Sequence, residues 1–243
     1  MGLVTNSADP SFDWTAEFNS AAEYNSATER SGDLLRFATR VKDEVASNGG
    51  GRAQLWVIDV NVGDDERLMA AGFRPYRDLW KMQVPLPAVL SEGYSPVEVR
   101  PYDAGDEEEF LYVNSRAFAW HPEQGRLTSE ELHKRFAEPW YDPKGFLVLE
   151  IDGRIAGFCW TKVHEEPPTG EIYAIAVDPD FAGRRLGLPL TYAGLTHLMG
   201  VGQNTAILYV ESDNAPAVKI YRKLGFGLHQ VNRAYEATVE LAD

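Results

Sequence analysis

The segment EIYAIAVDPDFAGRRLGLPLTYAGL, residues 171–195, holds residues whose types and spacing suit the binding of an anion. A strand-like apolar run from Glu171 to Val177 ends in Asp178-Pro179, passes through a basic loop with two glycines, Gly183 and Gly187, and turns helical. A strand that leads through a short loop into a helix presents unpaired backbone N–H groups. With the positive end of the helix dipole behind them, they form an anion site suited to a pyrophosphate. Gly183 and Gly187 let the backbone come close, and Arg184 and Arg185 add charge. A basic turn before a helix also serves as a plain connection, so this corner alone leaves both readings open.

The elements that must position the corner follow from periodicity. VEVRPY reads as a strand, DEEEFLYVNSRAF as a helix with carboxylates in its first turn, where the macrodipole favours them, and TSEELHKRFA as a helix whose Thr128 and Glu131 have capping-box spacing. GFLVLEI and RIAGFCWTKVH flank Asp152-Gly153, a two-residue hairpin signal. The strand GEIYAIAV, the helix GLPLTYAGLTHLMG, the strand TAILYVE, the helix APAVKIYRKLG and a closing strand LHQVNRAYEATVEL complete the series. Such an order predicts the α/β class in an α+β layered form, with a mixed central sheet flanked by helices.

Upstream the pattern thins. Residues 1–30 are polar, rich in Ser, Asn and Ala and without sustained periodicity, so they read as poorly ordered. GDLLRFATRVKDEV puts Leu34, Leu35, Ala38, Val41 and Val45 near one helical face; AQLWVIDV reads as a strand, GDDERLMAAGF as a short helix closed by Gly72, and RDLWKMQVPL as another strand. The run PLPAVLSEGYSP then places a boundary near residue 92, giving a partial domain over 31–92 and a complete one over 93–243. LWVIDVNVGDDERLMAAGF and LYVESDNAPAVKIYRKLGF align without a gap, with Gly72 and Gly225 standing 153 positions apart. The shared unit of strand, Asn turn, short helix and Gly-Phe predicts that the complete fold is preceded by a partial copy of itself. At that spacing the loop at Gly183–Gly187 falls on RSGDL, and the strand at Glu171–Val177 on the polar FNSAAEY.

Composition narrows the partners. An apolar content of 44% marks a globular protein, and 23 Lys and Arg against 37 Asp and Glu give a formal charge of -14. That balance argues against a nucleic acid, whose binding needs clustered cations, and fits a neutral or cationic small molecule. Cys159 is the sole cysteine and lies in the apolar GFCW, which points to a reducing cytoplasm. No apolar run approaches the roughly 20 residues that span a bilayer, and MGLVTNSADP lacks a basic region followed by an apolar core. The histidines His121, His133, His164, His197 and His229 show no ligand spacing, so no metal site is expected. The chain therefore reads as a cytoplasmic monomer without a membrane partner.

The order strand, VDP, basic glycine loop, helix, strand, ESDN, Tyr-bearing helix and LGF resembles the GNAT acetyltransferases from about Val97 to Ala237. VNSRAFAWHPEQG, WYDPKGF, GFCWTKVH, GEIYAIAVDP and LYVESDNAPAVKIYRKLGF together resemble the C-terminal half of the mycothiol synthase family, which is built from two GNAT domains. The resemblance implies a GNAT fold, acetyl-CoA as cosubstrate with no metal, and acetyl transfer to the cysteine amine of cysteinyl-glucosaminyl-inositol, a small-molecule thiol conjugate. It also implies roles. Glu171 matches the base that takes a proton from the ammonium, and Tyr221 the acid that protonates the departing thiolate. Ile175, Ala176 and Val177 match the strand whose backbone polarises the thioester carbonyl. Glu123, Lys162, Glu171 and Tyr209 match substrate contacts. Ala182, Gly183, Arg184, Arg185, Leu186, Gly187 and Leu188 match the pyrophosphate loop. Asn214, Ala215, Pro216, Ala217, Val218 and Lys219 match the segment lining the pantetheine or adenine end.

Each residue also has a plainer role. Tyr221 shares an apolar stripe with Ala217, Val218 and Leu224, Asn214 suits a helix cap, and a lone Lys or Glu is ordinarily a solvated group. Acetylation of another small amine, or acyl-CoA binding without catalysis, are the alternatives. Two departures bear on them. Where the superfamily commonly has Gln/Arg-x-x-Gly-x-Gly/Ala, this chain has Ala182, Arg185 and Gly187, and a non-glycine at a positive φ would cost on the order of 1 kcal/mol. In the first half Leu68 stands where Tyr221 does and Phe18 where Glu171 does, so that half reads as truncated or eroded.

Overall fold

The computed structural model describes residues 4–19, 27–88, 95–121 and 124–242. Along the chain they form β1 (Thr5–Asn6), β2 (Trp14–Asn19), α1 (Ala27–Ser47), β3 (Gly51–Ile58), α2 (Asp64–Ala70), β4 (Arg74–Pro85), β5 (Arg100–Pro101), α3 (Glu107–Ala117), α4 (Ser129–Phe136), β6 (Phe146–Ile151), β7 (Arg154–His164), β8 (Thr169–Val177), α5 (Gly187–Gly200), β9 (Thr205–Glu211), α6 (Ala215–Lys223) and β10 (Gly227–Val239). Two compact units result: Met1–Trp80 with Glu211–Asp213 and Gln230–Asp243, and Lys81–Val210 with Asn214–His229. The boundary expected near residue 92 lies outside the described residues. The units divide instead after Trp80, and the last strand joins the first unit, because backbone pairing rather than chain order decides membership.

In the second unit the strands run β9-β8-β7-β6-β5. Asp152 and Gly153 both take left-handed angles, 54° and 74°, the geometry of a two-residue turn matched to strand twist, and β6 and β7 pair antiparallel on either side of it. β7 and β8 pair antiparallel, whereas β8 and β9 run parallel with α5 between them, so the sheet is mixed. One face packs against α3 and α4 through Phe110, Val113, Leu132, Phe146, Phe158 and Trp160. The other face takes α5. A Cβ on Gly194 would come within 2.4 Å of Cys159 and 2.8 Å of Ile172, and one on Gly170 within 2.9 Å of Leu198, so both glycines allow the helix to lie close. At the start of α4, Thr128 and Glu131 form the capping box their spacing predicts.

In the first unit β2 lies parallel to β3, and β10 lies antiparallel to β3 from Arg233↔Val57 to Val239↔Gly51. α1 covers them with Leu34, Ala38, Val41 and Val45, fully buried with Leu55, Val57 and Tyr235 and packed beside the buried Phe18. For the described residues 4–19 and 27–30, which form β1, β2 and the start of α1, this corrects the reading of 1–30 as poorly ordered. Ala16 and Phe18 are buried on one side of β2 while Glu17 faces outward, an alternation too short to stand out among polar neighbours. RSGDL, which matches the glycine loop by position, lies within α1 and forms no loop.

Candidate functional site

The site grows from a fault in β8. Trp160 and Thr161 are adjacent on β7, yet they pair with Ala174 and Ile172, so Tyr173 is an extra residue and forms a β-bulge. A bulge reverses side-chain parity. Ile172 faces α5, Ala174 and Ala176 face the α3/α4 side, and the inserted Tyr173 returns Glu171 to that side too. Below the bulge β8 pairs with β9 at Gly170↔Ala206, Glu171↔Ile207 and Ile172↔Leu208, and beyond those pairs the two strands part. Ile175, Ala176 and Val177 lie along this wedge, on the stretch of β8 beyond those pairs.

Glu171 is buried, in register with Lys162 on β7. Its Oε2 lies 2.5 Å from Nε2 of His164, whose side chain is 34% exposed. Lys162 Nζ sits over the Trp140 ring at 4.8 Å and the Tyr173 ring at 5.7 Å, and Arg135 Nε donates to the Tyr173 hydroxyl at 3.0 Å. Glu171, Lys162, His164, Tyr173 and Trp140 thus gather on one face. Tyr209 is 41% exposed on β9, two residues past the partner of Glu171. Glu123 lies outside the described residues.

On the α5 face, Tyr221 is almost fully buried in α6. Burial, with the Cys159 thiol adding to it, pushes its phenol above the ordinary 10.0. Burial likewise pushes the Cys159 thiol up to about 12, which leaves that sulfur neutral and inert. Asn214 Oδ1 accepts from the Ala217 N–H at 3.2 Å, so Asn214 caps α6; Val218 is buried in the first turns, whereas Ala215, Pro216 and Lys219 are exposed and Ala217 is half-buried.

The loop between β8 and α5 is clamped at its entry. Asp178 caps the turn Pro179–Phe181, and Asp180 pairs with Arg116 at 2.6 Å and Arg154 at 2.9 Å, two guanidiniums that hold its carboxyl far below the usual range. Then Gly183 has φ 80° and Arg185 φ 61°. The position where the superfamily commonly has glycine does therefore require the left-handed region, and Arg185 carries that conformation with a side chain. Ala182, Gly183, Arg184 and Arg185 are exposed, Leu186, Gly187 and Leu188 half-buried. Arg184 stacks on Phe181 at 4.9 Å. A Cβ on Gly187 would reach 2.9 Å from Ile220 Cδ1, so that glycine lets α5 and α6 meet. The backbone of Gly183–Leu188, exposed at Gly183–Arg185 and leading into a 14-residue helix, fits a pyrophosphate by its chemistry.

The structure gathers Glu171 with Lys162, and Tyr221 with the α5 face, on opposite sides of the sheet. His164, Trp140 and Tyr173 were absent from the sequence-based set. His164 was legible in principle: Lys162 and His164 alternate along one strand before a short turn, so both share a face with Glu171 across the hairpin. Among the described residues no group of three or more His, Cys, Asp or Glu is placed to hold a metal ion, and no helix is long and apolar enough to cross a membrane.

Residues 108–226 match the model of the acetyltransferase (GNAT) family. The chain is 46% identical over 190 residues to a mycothiol acetyltransferase of Thermobifida fusca, covering 68% of this chain and 58% of that protein. It is 44% identical over 208 residues to one of Streptomyces griseus, covering 84% of this chain and 64% of that protein. The chain thus spans less than two thirds of the length of these relatives. A crystal structure of a GCN5-related N-acetyltransferase from Sphaerobacter thermophilus superposes with a TM-score of 0.70 at 19% identity, covering 99% of this chain and 76% of that one.

Proposed function

We propose that the chain, whose residues 108–226 match the acetyltransferase (GNAT) family, transfers the acetyl group of acetyl-CoA to the cysteine amine of cysteinyl-glucosaminyl-inositol. The observation that carries the reading is the wedge between β8 and β9, with Glu171 at its base and the Gly183–Leu188 loop at the end of the same strand. The substrate class comes from the mycothiol acetyltransferases it is similar to.

Glu171 takes a proton from the ammonium, directly or through water, and frees the nitrogen lone pair. Backbone N–H groups of Ile175, Ala176 and Val177 favour the charge that develops on the thioester oxygen. As the C–N bond forms and the C–S bond breaks in the gap between β8 and β9, Tyr221 gives its proton to the sulfur from the α5 side while Glu171 acts from the other. The nitrogen loses its second proton as the amide forms, and that proton restores the Tyr221 phenol, so one proton, the one taken by Glu171, is released overall. Lys162 and Tyr209 contact the hydroxyl-rich part of the acceptor, and Glu123 is assigned to the same acceptor on its sequence motif alone. Asn214 to Lys219 flank the pantetheine, and Gly183, Arg184, Arg185, Leu186, Gly187 and Leu188 bind the pyrophosphate, with Ala182 at the loop's entry.

The first unit we read as a partial copy of the same fold without catalysis. β3-α2-β4 and β9-α6-β10 correspond at the 153-residue spacing, and the counterparts of Tyr221 and Glu171 are the core residues Leu68 and Phe18. The test is release of CoA thiol from acetyl-CoA with cysteinyl-glucosaminyl-inositol and plain cysteine in parallel. A strong preference for the conjugate supports the assignment, equal rates point to another small amine, and acetyl-CoA binding without turnover of either points to an acyl-CoA-binding protein.

A further inference from the structure

Glu171 raises a physical difficulty as a base. It is buried, and a carboxylate that has taken a proton must return it to water before the next turnover. Its outlet is visible. His164 Nε2 lies 2.5 Å from Glu171 Oε2, at the end of β7 where the hairpin turns, and its ring is one-third exposed. Among the described residues, the other polar groups beside Glu171 are engaged elsewhere. Lys162, the register partner of Glu171, is held over two aromatic rings, and Tyr173 accepts from Arg135. We propose that His164 is a positioning and proton-relay residue that fixes the Glu171 carboxylate and carries its proton to solvent. This deepens the proposed acetyl transfer and rests on it.

The protons balance. One moves from the substrate ammonium to the Glu171 carboxylate as the N–H bond breaks, then from the carboxyl to the His164 ring. The imidazolium gives it to water, and both side chains return to their starting forms. A tight His–Glu contact that served only to brace the hairpin would be satisfied by any side chain able to donate the same hydrogen bond.

The experiment compares wild type, His164→Gln and His164→Ala in the full chain, measuring kcat and both KM values with and without added imidazole. Relay predicts that His164→Ala loses about 100-fold in kcat, the low end of general acid–base contributions, with the acetyl-CoA KM unchanged, and that imidazole restores much of the loss by entering the solvent-facing gap. It predicts that His164→Gln stays slow although its amide can still donate to Glu171, and that imidazole does not help because the space is filled. Wild-type kcat in His164→Gln, or a slow His164→Ala that imidazole leaves unchanged, overturns the inference alone. A wild-type enzyme that acetylates no amine overturns the proposed function and this inference with it.

Discussion

The Lys162 ammonium lies 4.8 Å from the centre of the Trp140 indole, and that ring meets Tyr173 at 4.9 Å and 51°. A cation held between two rings has its direction set before any ligand arrives, so the lysine beside Glu171 is aimed rather than free. An exposed or half-buried cation–π contact contributes about 0.5–2 kcal/mol. Trp140→Leu should therefore raise the KM for the amine acceptor by roughly fivefold, the equivalent of about 1 kcal/mol, while kcat and the acetyl-CoA KM stay near wild type. Steady-state kinetics with each substrate varied in turn checks this; a rise in both KM values would show that Trp140 supports the whole wedge instead.

Arg185 tests the loop. At φ 61° any side chain with a Cβ is strained by about 1–2 kcal/mol, whatever its charge. Arg185→Ala removes the charge and keeps the strain; Arg185→Gly removes both. The glycine variant should be more stable than the alanine variant by about 1 kcal/mol, after the greater freedom of glycine in the unfolded chain is allowed for. The difference is read as a shift in urea midpoint at constant m-value. If the arginine also meets pyrophosphate, both variants bind acetyl-CoA more weakly than wild type, and the loss shrinks as salt rises.

Tyr221 is a proposed catalytic group whose ionisation the fold shifts. Burial, aided by the Cys159 thiol, raises its phenol above 10.0, so it holds its proton throughout the neutral range and is available as a donor. Tyr221→Phe should lower kcat by roughly 100-fold with little change in acetyl-CoA affinity. The pH dependence of stability has a definite sign. Above pH 10 the unfolded chain loses the phenol proton while the folded chain keeps it, so stability is intact below that pH and falls as pH rises through the folded value. Because Tyr102 and Tyr235 are raised by burial as well, the quantity to measure is the difference between wild type and Tyr221→Phe above pH 10, where the variant should lose less.

The second unit's strands and helices were legible because strong local signals agreed with the fold. Asp152-Gly153 takes the two left-handed conformations that its residue types predict, and Thr128 and Glu131 form their box. What escaped was non-local. Chain order put the last strand with the second half, whereas seven residues of β10 pair with β3. Tyr173 looks like any strand residue until the pairing of Trp160 and Thr161 reveals the bulge that turns Glu171 to its face. The Arg185 conformation was readable as a missing glycine, and His164 only from the parity of two strands together.

Arg30 marks the clearest gap between sequence and structure. By position it matches the opening of the glycine loop, yet it sits inside α1 with Nη1 2.7 Å from Asp64 Oδ2 and Nη2 3.0 Å from the Asp59 carbonyl, both side chains nearly free of solvent. The same Asp64 oxygen accepts from the Asn61 N–H at 2.8 Å, so the pair fixes the turn ahead of α2 as well as joining it to α1. Removing one partner of a buried pair leaves an uncompensated charge and costs about 3–5 kcal/mol, more than the pair itself contributes. Asp64→Ala should destabilise the first unit by that amount. Arg30→Met combined with Asp64→Leu should recover part of the loss, because neither side chain then needs water, although the Asn61 N–H and the Asp59 carbonyl lose these partners. Urea unfolding of the single and double variants decides it: a double variant no more stable than Asp64→Ala would mean that the ion pair itself, rather than the absence of a lone buried charge, holds α1 to α2.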